Sequence, residues 1–293
     1  MTPEEILRHP PRLLSQAQRE FFFANGYLLV ERVVDATWLS RLREVFATLE
    51  KKGEESDSPA DFEFETLSDG SRRLRQVLCA ADYHPDLWSF VSSAPMTTLA
   101  ADVVGPNVQF RESGISYKFP GGRGFDWHQD IVFFPSSNRS PIMTLTFVED
   151  VDAEMGPTRV IPGSHLGEVY DHYDADGSWL GLIGEHVKSR VPVSESVAIT
   201  GPAGSVLITS CAIVHAAGEN RSGRDRPMVL AGYASADTVS YGGIPYKSRY
   251  RWRIVEGEPT REIHSDALRL KLPPDWDAYE GVRIDNLYQR QNG

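Results

Sequence analysis

The sequence predicts a mainly β fold with flanking helices, and three observations carry this prediction. The first third has capped helical patterns, whereas after Gly105 the apolar residues form short runs separated by Gly, Pro, Asn and Asp clusters. Many short strands with intervening turns favour an antiparallel sandwich or barrel over a parallel α/β sheet. With 293 residues and 41% hydrophobic content, the chain can bury one substantial core, so we expect a single domain over residues 1–293.

Residues 15–104 are predicted to form a helical support for the β core. The expected elements are a helix from Ser15 that breaks at Asn25-Gly26, a strand over Tyr27–Val30, a helix capped by Asp35, and helices near Pro85–Val91 and Pro95–Val104. In the helix after Asp35, apolar residues recur at helical spacing from Trp38 to Leu49, which predicts one buried stripe. Residues 51–72 are acidic and rich in turn formers, so we expect a mobile loop there.

Residues 105–235 are predicted to form the β core. The candidate strands are Val108–Glu112, Ile115–Phe119, Ile142–Val148, Thr158–Ile161, Ser196–Thr200, Ser205–Val214 and Met228–Ala234. The long irregular segment 166–190 interrupts them, and such a segment is typical of a lid over a site. Residues 236–293 are expected to be a C-terminal extension.

The composition argues against several classes of protein. A formal charge of -11 disfavours a nucleic-acid surface, which needs a basic footprint. Cys79 and Cys211 are the two cysteines and no C-x-x-C occurs, which disfavours a disulfide framework and a thiolate zinc site. No signal-like or membrane-spanning apolar segment is apparent. We therefore expect a cytoplasmic monomer or homodimer that acts on a small molecule, with no membrane or nucleic-acid partner.

Two histidines and an acidic residue carry the strongest chemical signal. His128 and Asp130 are two positions apart, and residues i and i+2 of a strand point to the same side. With the distant His215 they make the two-imidazole, one-carboxylate set that binds Fe(II) on one face and leaves the other open. Asp126 competes with Asp130 for this role, and the alternative is that both histidines are structural. Arg226 offers a fixed charged fork for a second carboxylate.

The chain resembles the phytanoyl-CoA dioxygenase family of Fe(II)- and 2-oxoglutarate-dependent oxygenases. The resemblance rests on Gly26-Tyr27, on Trp127, His128 and Asp130 as W-H-x-D, on Ile161–His165, on the Gly204–Val214 strand before His215, on Asn220–Ser222 and on Arg226. It implies a double-stranded β-helix core of the jelly-roll, cupin-like kind. It also implies Fe(II), 2-oxoglutarate and O2 as reactants, with release of succinate and CO2.

The resemblance also implies roles for particular residues. Arg226 would hold the distal carboxylate of 2-oxoglutarate, and Lys118 and Thr146 would line the same pocket. Many relatives have a serine two positions after the distal histidine, where this chain has Ala217, so another donor must serve, such as Thr146 or Lys118. Some halogenating relatives lack the metal carboxylate, so retention of Asp130 argues against halogenation.

The implied reaction is hydroxylation of an unactivated C–H bond in an amino acid, an acyl derivative or a secondary metabolite. For the substrate, we expect contacts from Arg123 between its glycines and from His172 and Trp179 in segment 166–190. Two other classes stay open at this point. One is a jelly-roll metal-dependent isomerase or hydrolase. The other is a non-catalytic binding module in which the metal only stabilises the fold.

Overall fold

Two antiparallel β-sheets form the core of the computed structural model, which describes residues 1–55, 61–66, 70–241 and 247–275. The helices in these ranges are α1 (Pro3–Arg8), α2 (Gln16–Asn25), α3 (Ala36–Gly53), α4 (Pro85–Val91), α5 (Met96–Val104) and α6 (Glu185–Lys188). The strands are β1 (Tyr27–Val30), β2 (Phe62–Thr66), β3 (Arg72–Leu78), β4 (Val108–Lys118), β5 (Phe125–His128), β6 (Ile142–Phe147), β7 (Thr158–Val160), β8 (Val197–Ala198), β9 (Val206–Ser210), β10 (His215–Ala217), β11 (Arg226–Ser235) and β12 (Ile254–Glu256). The prediction of a mainly β fold with flanking helices is confirmed.

The larger sheet has the order β1-β9-β6-β11-β4-β3-β2, with β12 also paired to β4, and the smaller sheet has the order β5-β10-β7-β8. Adjacent strands in both orders run antiparallel where they pair. Side chains from the inner faces of both sheets line one cavity. The fold therefore places a pocket between a broad sheet and a narrow one.

Helices α2 to α5 pack on the outer face of the larger sheet. The α3 helix begins at Asp35, whose side chain accepts a hydrogen bond from the Trp38 backbone, and it buries one apolar stripe as predicted. Leu42 and Leu49 of that stripe belong to the same apolar cluster as Ile208 and Val229 of the sheet. Burial of such side chains contributes about 1.5–3 kcal/mol each, so the helices anchor one face of the sheet.

Two predictions about strands are wrong. Residues 51–72 are not a single loop, because β2 lies within them and pairs with β3 at the edge of the larger sheet. The sequence FEFET alternates apolar and polar residues, which is a strand pattern that the acidic composition concealed. The rest of that prediction falls partly on 56–60 and 67–69, outside the described residues. The predicted strands Val108–Glu112 and Ile115–Phe119 are one strand, β4.

Segment 166–190 is folded against the core. It contains α6 and an isolated bridge between Tyr173 and Trp179. The C-terminal extension, where it is described, returns to the larger sheet through β12, and the Tyr250 ring stacks on Trp88 with centroids 3.9 Å apart. No helix in the described ranges is long and apolar enough to cross a bilayer.

Candidate metal centre

The three predicted ligands converge on the smaller sheet. His128 ends β5 and His215 begins β10, and the antiparallel register makes these two residues direct Cα partners. Asp130 is not on the strand as predicted but opens a short 3-10 helix, Asp130–Val132. The turn still directs its carboxylate at both imidazoles. Chain segments 87 positions apart therefore meet because two strands pair.

The distances among the three side chains suit an octahedral ion. The Nε2 atoms of His128 and His215 lie 3.5 and 3.7 Å from Asp130 Oδ1, and one ligand atom from each residue falls within 4.8 Å of the others. Two ligand atoms at right angles, each about 2.1 Å from an octahedral ion, lie about 3 Å apart. A small side-chain adjustment would bring all three to one ion. Two imidazoles and one carboxylate are the donor set of Fe(II) oxygenases.

Backbone hydrogen bonds orient both imidazoles. His128 Nδ1 lies 2.9 Å from the Asp126 carbonyl oxygen, and His215 Nδ1 lies 3.1 Å from the Ile213 carbonyl oxygen. A proton on Nδ1 donated to each carbonyl leaves the Nε2 lone pair directed at the metal position. Both rings are thus preset as ligands.

Asp126 is engaged elsewhere. Its Oδ1 accepts a hydrogen bond from the Trp127 backbone at 2.8 Å and its Oδ2 pairs with Lys188 Nζ at 2.9 Å. Within the described ranges, the group that could hold a metal consists of His128, Asp130 and His215. The side of the ion away from these three ligands would stay open to reactants.

Burial sets the charge of the centre. It lowers the pKa of His215 to about 4, so this imidazole is neutral near pH 7 and its lone pair is available. At Asp130, burial raises the pKa, but the interactions with His215 and His128 outweigh it and hold the pKa below its ordinary value. A neutral imidazole beside an ionised carboxylate is the protonation state that a divalent cation requires.

We expect a substrate contact for His172, but the structure places this residue outside the cavity wall, where it supports the metal loop. The His172 Nε2 accepts a hydrogen bond from the Gln129 backbone at 3.0 Å, and its Nδ1 lies 2.8 Å from the Tyr170 carbonyl oxygen. Burial lowers the pKa of His172 to about 4, which keeps the ring neutral as this acceptor. Gln129, between the two metal ligands, is tied to segment 166–190.

Trp179 is also placed behind the cavity wall. It is 9% exposed, and its ring packs edge-on against Phe133 with centroids 5.6 Å apart. Phe133 lines the cavity and Trp179 does not, so a direct substrate contact of Trp179 stays a prediction. Trp179 instead fixes the ring that forms the wall.

A cavity of about 200 Å³ opens on the metal centre. The three metal ligands, Arg226, Lys118 and Arg123 all line it. Arg226 and Lys118 are Cα partners on β11 and β4, and they are 5% and 7% exposed. The Lys118 ammonium donates to the carbonyl oxygens of Gly156 and Gly218. Burial, together with Arg226 and Arg75, holds the pKa of Lys118 well below its usual range.

Thr146, which we expect in this pocket, is not among the residues that line it. Its neighbour Leu145 faces the cavity, and a strand directs successive side chains to opposite faces, so Thr146 points to the outer side of the sheet. Thr158 lies in the cavity wall instead, and it is the direct partner of Ala217 across the β7–β10 pairing. A hydroxyl therefore stands opposite the position where relatives have a serine. Only the strand pairing reveals this, which is why the sequence missed it.

A second arginine joins Arg123 at the cavity. Glu63 pairs with Gln76 and Phe64 pairs with Leu74, so Arg75 is the extra residue of a β-bulge. Arg75 and Arg123 both lie near Glu65, at 3.9 and 4.0 Å. Two guanidinium groups thus line this side of the cavity beside one carboxylate.

Comparisons with known proteins agree with this geometry. The profile of the phytanoyl-CoA dioxygenase (PhyH) family matches residues 22–228. A probable alpha-ketoglutarate-dependent hypophosphite dioxygenase of Stutzerimonas stutzeri is 28% identical over 93% of this chain and 96% of its own length. A 2-aminoethylphosphonate dioxygenase from an uncultured bacterium is 27% identical over 78% of this chain and 79% of its own length.

Solved structures show the same fold. EctD from S. alaskensis, with 2-oxoglutarate and 5-hydroxyectoine, superposes with a TM-score of 0.66 at 20% identity, over 94% of this chain and 93% of that one. The non-haem alpha-ketoglutarate-dependent carbocyclase SnoK from nogalamycin biosynthesis has a TM-score of 0.65 at 23% identity, over 85% of this chain and 98% of that one. These likenesses confirm the predicted jelly-roll core.

Proposed function

The chain belongs to the phytanoyl-CoA dioxygenase family and is a 2-oxoglutarate-dependent non-haem iron dioxygenase, and we propose that it hydroxylates an unactivated C–H bond of a small molecule that carries an anionic group. The single observation that carries the proposal is the convergence of His128, Asp130 and His215 on the wall of a small cavity that Arg75, Arg123 and Arg226 also line. Family membership leaves no support for the isomerase, the hydrolase or the non-catalytic module.

The protein's own residues would hold the reactants. His128, Asp130 and His215 would hold Fe(II) on one face, and Arg226 would bind the far carboxylate of 2-oxoglutarate. When bound, the iron with 2-oxoglutarate and O2 supplies the oxidising chemistry, and succinate and CO2 are the co-products. Thr158, the strand partner of Ala217, would supply a hydroxyl for a hydrogen bond to the cosubstrate. Lys118 holds the strand ends at Gly156 and Gly218 in place around it.

The anionic group of the substrate is assigned to Arg123 and Arg75. Both guanidinium groups line the cavity beside Glu65, and guanidinium groups suit the planar or tetrahedral oxygens of a carboxylate or phosphonate. The apolar wall that includes Phe125, Phe133 and Met228 would hold the carbon skeleton and exclude water. A cavity of about 200 Å³ suits a small substrate beside 2-oxoglutarate.

A second candidate is oxidation of a phosphorus oxyanion at a P–H bond. It is favoured by the relative named for hypophosphite, which aligns with 93% of this chain, together with the arginine pair that suits such an anion. The two candidates share the metal centre and the cosubstrate site. They differ in the atom that receives oxygen.

One assay tests the proposal and separates its two candidates. Fe(II) and 2-oxoglutarate binding is first measured without O2, and air is then admitted with a panel of small carboxylates, phosphonates and hypophosphite. Succinate released in step with a hydroxylated carbon product supports C–H hydroxylation, whereas phosphite formed from hypophosphite supports the second candidate. Failure of 2-oxoglutarate to bind would contradict both. A cytoplasmic location and a monomeric or homodimeric state stay predictions.

A further inference from the structure

Glu112 lies at the opposite end of the cavity from the cosubstrate residues. It is on the inner side of β4, six residues before Lys118, so the two Cα atoms are roughly 20 Å apart along the strand. Glu112 is 8% exposed and its side chain lines the cavity. Its partner across the sheet is Gly232, where a Cβ atom would lie 3.0 Å from the Glu112 carboxylate. The glycine makes room for the acid.

No hydrogen bond and no ion pair within 4.0 Å satisfies the Glu112 carboxylate among the residues that the structure describes. Buried carboxylates are normally bonded several times, as Asp102 shows. Asp102 is 2% exposed and accepts the backbone N–H groups of Arg12, Leu13 and Leu14 at 2.8–2.9 Å. Glu112 is buried to a similar degree with none of this support. A buried carboxylate that lines a cavity without hydrogen bonds is typical of a ligand-binding group.

Two charged neighbours of Glu112, Arg111 and Arg251, act on it from outside the cavity wall. Arg111 donates to Ser136 Oγ at 3.0 Å and lies over the Phe134 ring, and Arg251 lies over the Trp252 ring. Neither arginine lines the cavity wall, although both lower the pKa of Glu112. Burial outweighs them and the nearby Asp130 adds to it, so the pKa of Glu112 rises to about 7. An ionised Glu112 would therefore gain further stabilisation from a cation placed inside the cavity.

We propose that Glu112 binds the ammonium group of the substrate, so that the substrate is a small amine with an anionic group at its other end. This rests on the proposed function for the anionic end, where Arg123 and Arg75 lie. Between the ends, Leu78, Met143 and Phe134 offer an apolar surface to the carbon chain. Opposite charges at the two ends fix the orientation of the substrate, which decides which C–H bond faces the metal.

The test compares pairs of ligands that differ only in the amine. Binding of 2-aminoethylphosphonate and ethylphosphonate, and of 4-aminobutyrate and butyrate, is measured by calorimetry without O2 in the presence of Fe(II) and 2-oxoglutarate. In the unaltered protein, each amine should bind at least about tenfold more tightly than its partner compound. In Glu112→Gln, which keeps the shape and removes the charge, this preference should fall to about twofold or less. Glu112→Asp, which keeps the charge, should retain part of it.

Glu63→Gln is the matched control, because Glu63 is also 8% exposed but lies on β2 outside the cavity wall. This variant should keep the full preference for amines. Equal binding of amine and partner by the unaltered protein overturns the inference, and so does a preference that survives in Glu112→Gln. If that variant fails to fold, the comparison in the unaltered protein and in Glu112→Asp decides.

The inference and the proposed function can fail separately. A Glu112-dependent preference for amines without succinate release on admission of O2 supports the ammonium site and contradicts hydroxylation. If ethylphosphonate and butyrate stimulate succinate release as strongly as the corresponding amines, the result supports the dioxygenase and overturns the ammonium site.

Discussion

His128 and His215 are opposite each other in an antiparallel ladder, with their imidazole centroids 4.0 Å apart. Because the pairing of β5 and β10 alone places them, the backbone of the smaller sheet presets two of the three metal ligands. Asp130 joins them from a turn that Gln129 anchors to Ala212 at 2.8 Å. The three ligand atoms therefore lie close enough that metal binding would require little rearrangement.

The first prediction concerns Fe(II) binding. His128→Ala removes one of three ligands, and we expect the Fe(II) dissociation constant to rise by more than about 100-fold, since even the loss of groups behind the ligands costs about 10–100-fold. Anaerobic titration with Fe(II) measures this. His9→Ala, an exposed histidine far from the site in sequence, is the control and should bind Fe(II) normally. Normal binding by His128→Ala would remove this residue from the centre.

The second prediction concerns Arg226. Its buried guanidinium at the start of β11 should bind the distal carboxylate of 2-oxoglutarate, so Arg226→Ala should raise the 2-oxoglutarate dissociation constant by about 100-fold. Arg226→Lys should recover only part of the affinity, because an ammonium lacks the two-pronged geometry. Calorimetry without O2 gives the constants, and the exposed Arg224→Ala serves as the control. An unchanged constant in Arg226→Ala would contradict the assignment.

The third prediction separates two threonines that the sequence alone cannot tell apart. Thr158→Val removes the hydroxyl opposite Ala217, and we expect 2-oxoglutarate affinity to fall about fivefold to tenfold, the effect of about 1 kcal/mol for one hydrogen bond. Thr158→Ser should keep the affinity. Thr146→Val is the matched control, because Thr146 is fully buried on the outer side of the sheet. A larger effect at Thr146 than at Thr158 would reverse the assignment.

Sequence reasoning pointed to His128, Asp130, His215 and Arg226 because short motifs in the linear sequence mark them, and the structure brings all four to one cavity. It could not find Arg75, because a bulge adds one residue and so breaks the alternation that predicts which side chains face inward. It chose Thr146 over Thr158 because the face of the sheet to which a side chain points depends on which strands pair. This pairing is set by contacts between distant segments. It placed His172 in the pocket because the sequence of an aromatic loop does not show that both imidazole nitrogens form hydrogen bonds with backbone groups.

The last prediction uses the pH dependence of stability. Burial raises the pKa of Glu112 from 4.5 to about 7 in the folded protein. The folded state thus binds this proton more tightly than the unfolded state, so the stabilisation is complete below pH 4.5 and is lost as the pH rises through about 7. Glu112→Gln has no such proton. We therefore expect the stability of the variant relative to the unaltered protein to increase by up to about 3 kcal/mol between pH 4.5 and pH 8.

Urea unfolding of both proteins at several pH values, without metal or ligand, measures this difference. His172 and His215 act in the opposite direction, because their lowered pKa values of about 4 contribute stability that is lost as the pH falls. Both histidines are present in the two proteins, so their effect cancels in the difference. If the difference in unfolding free energy between the two proteins does not change with pH, Glu112 has an ordinary pKa and its carboxylate is not destabilised in the folded protein. If this difference increases with pH, the ionised carboxylate destabilises the folded protein. A binding residue that reduces stability in the absence of its ligand has this behaviour.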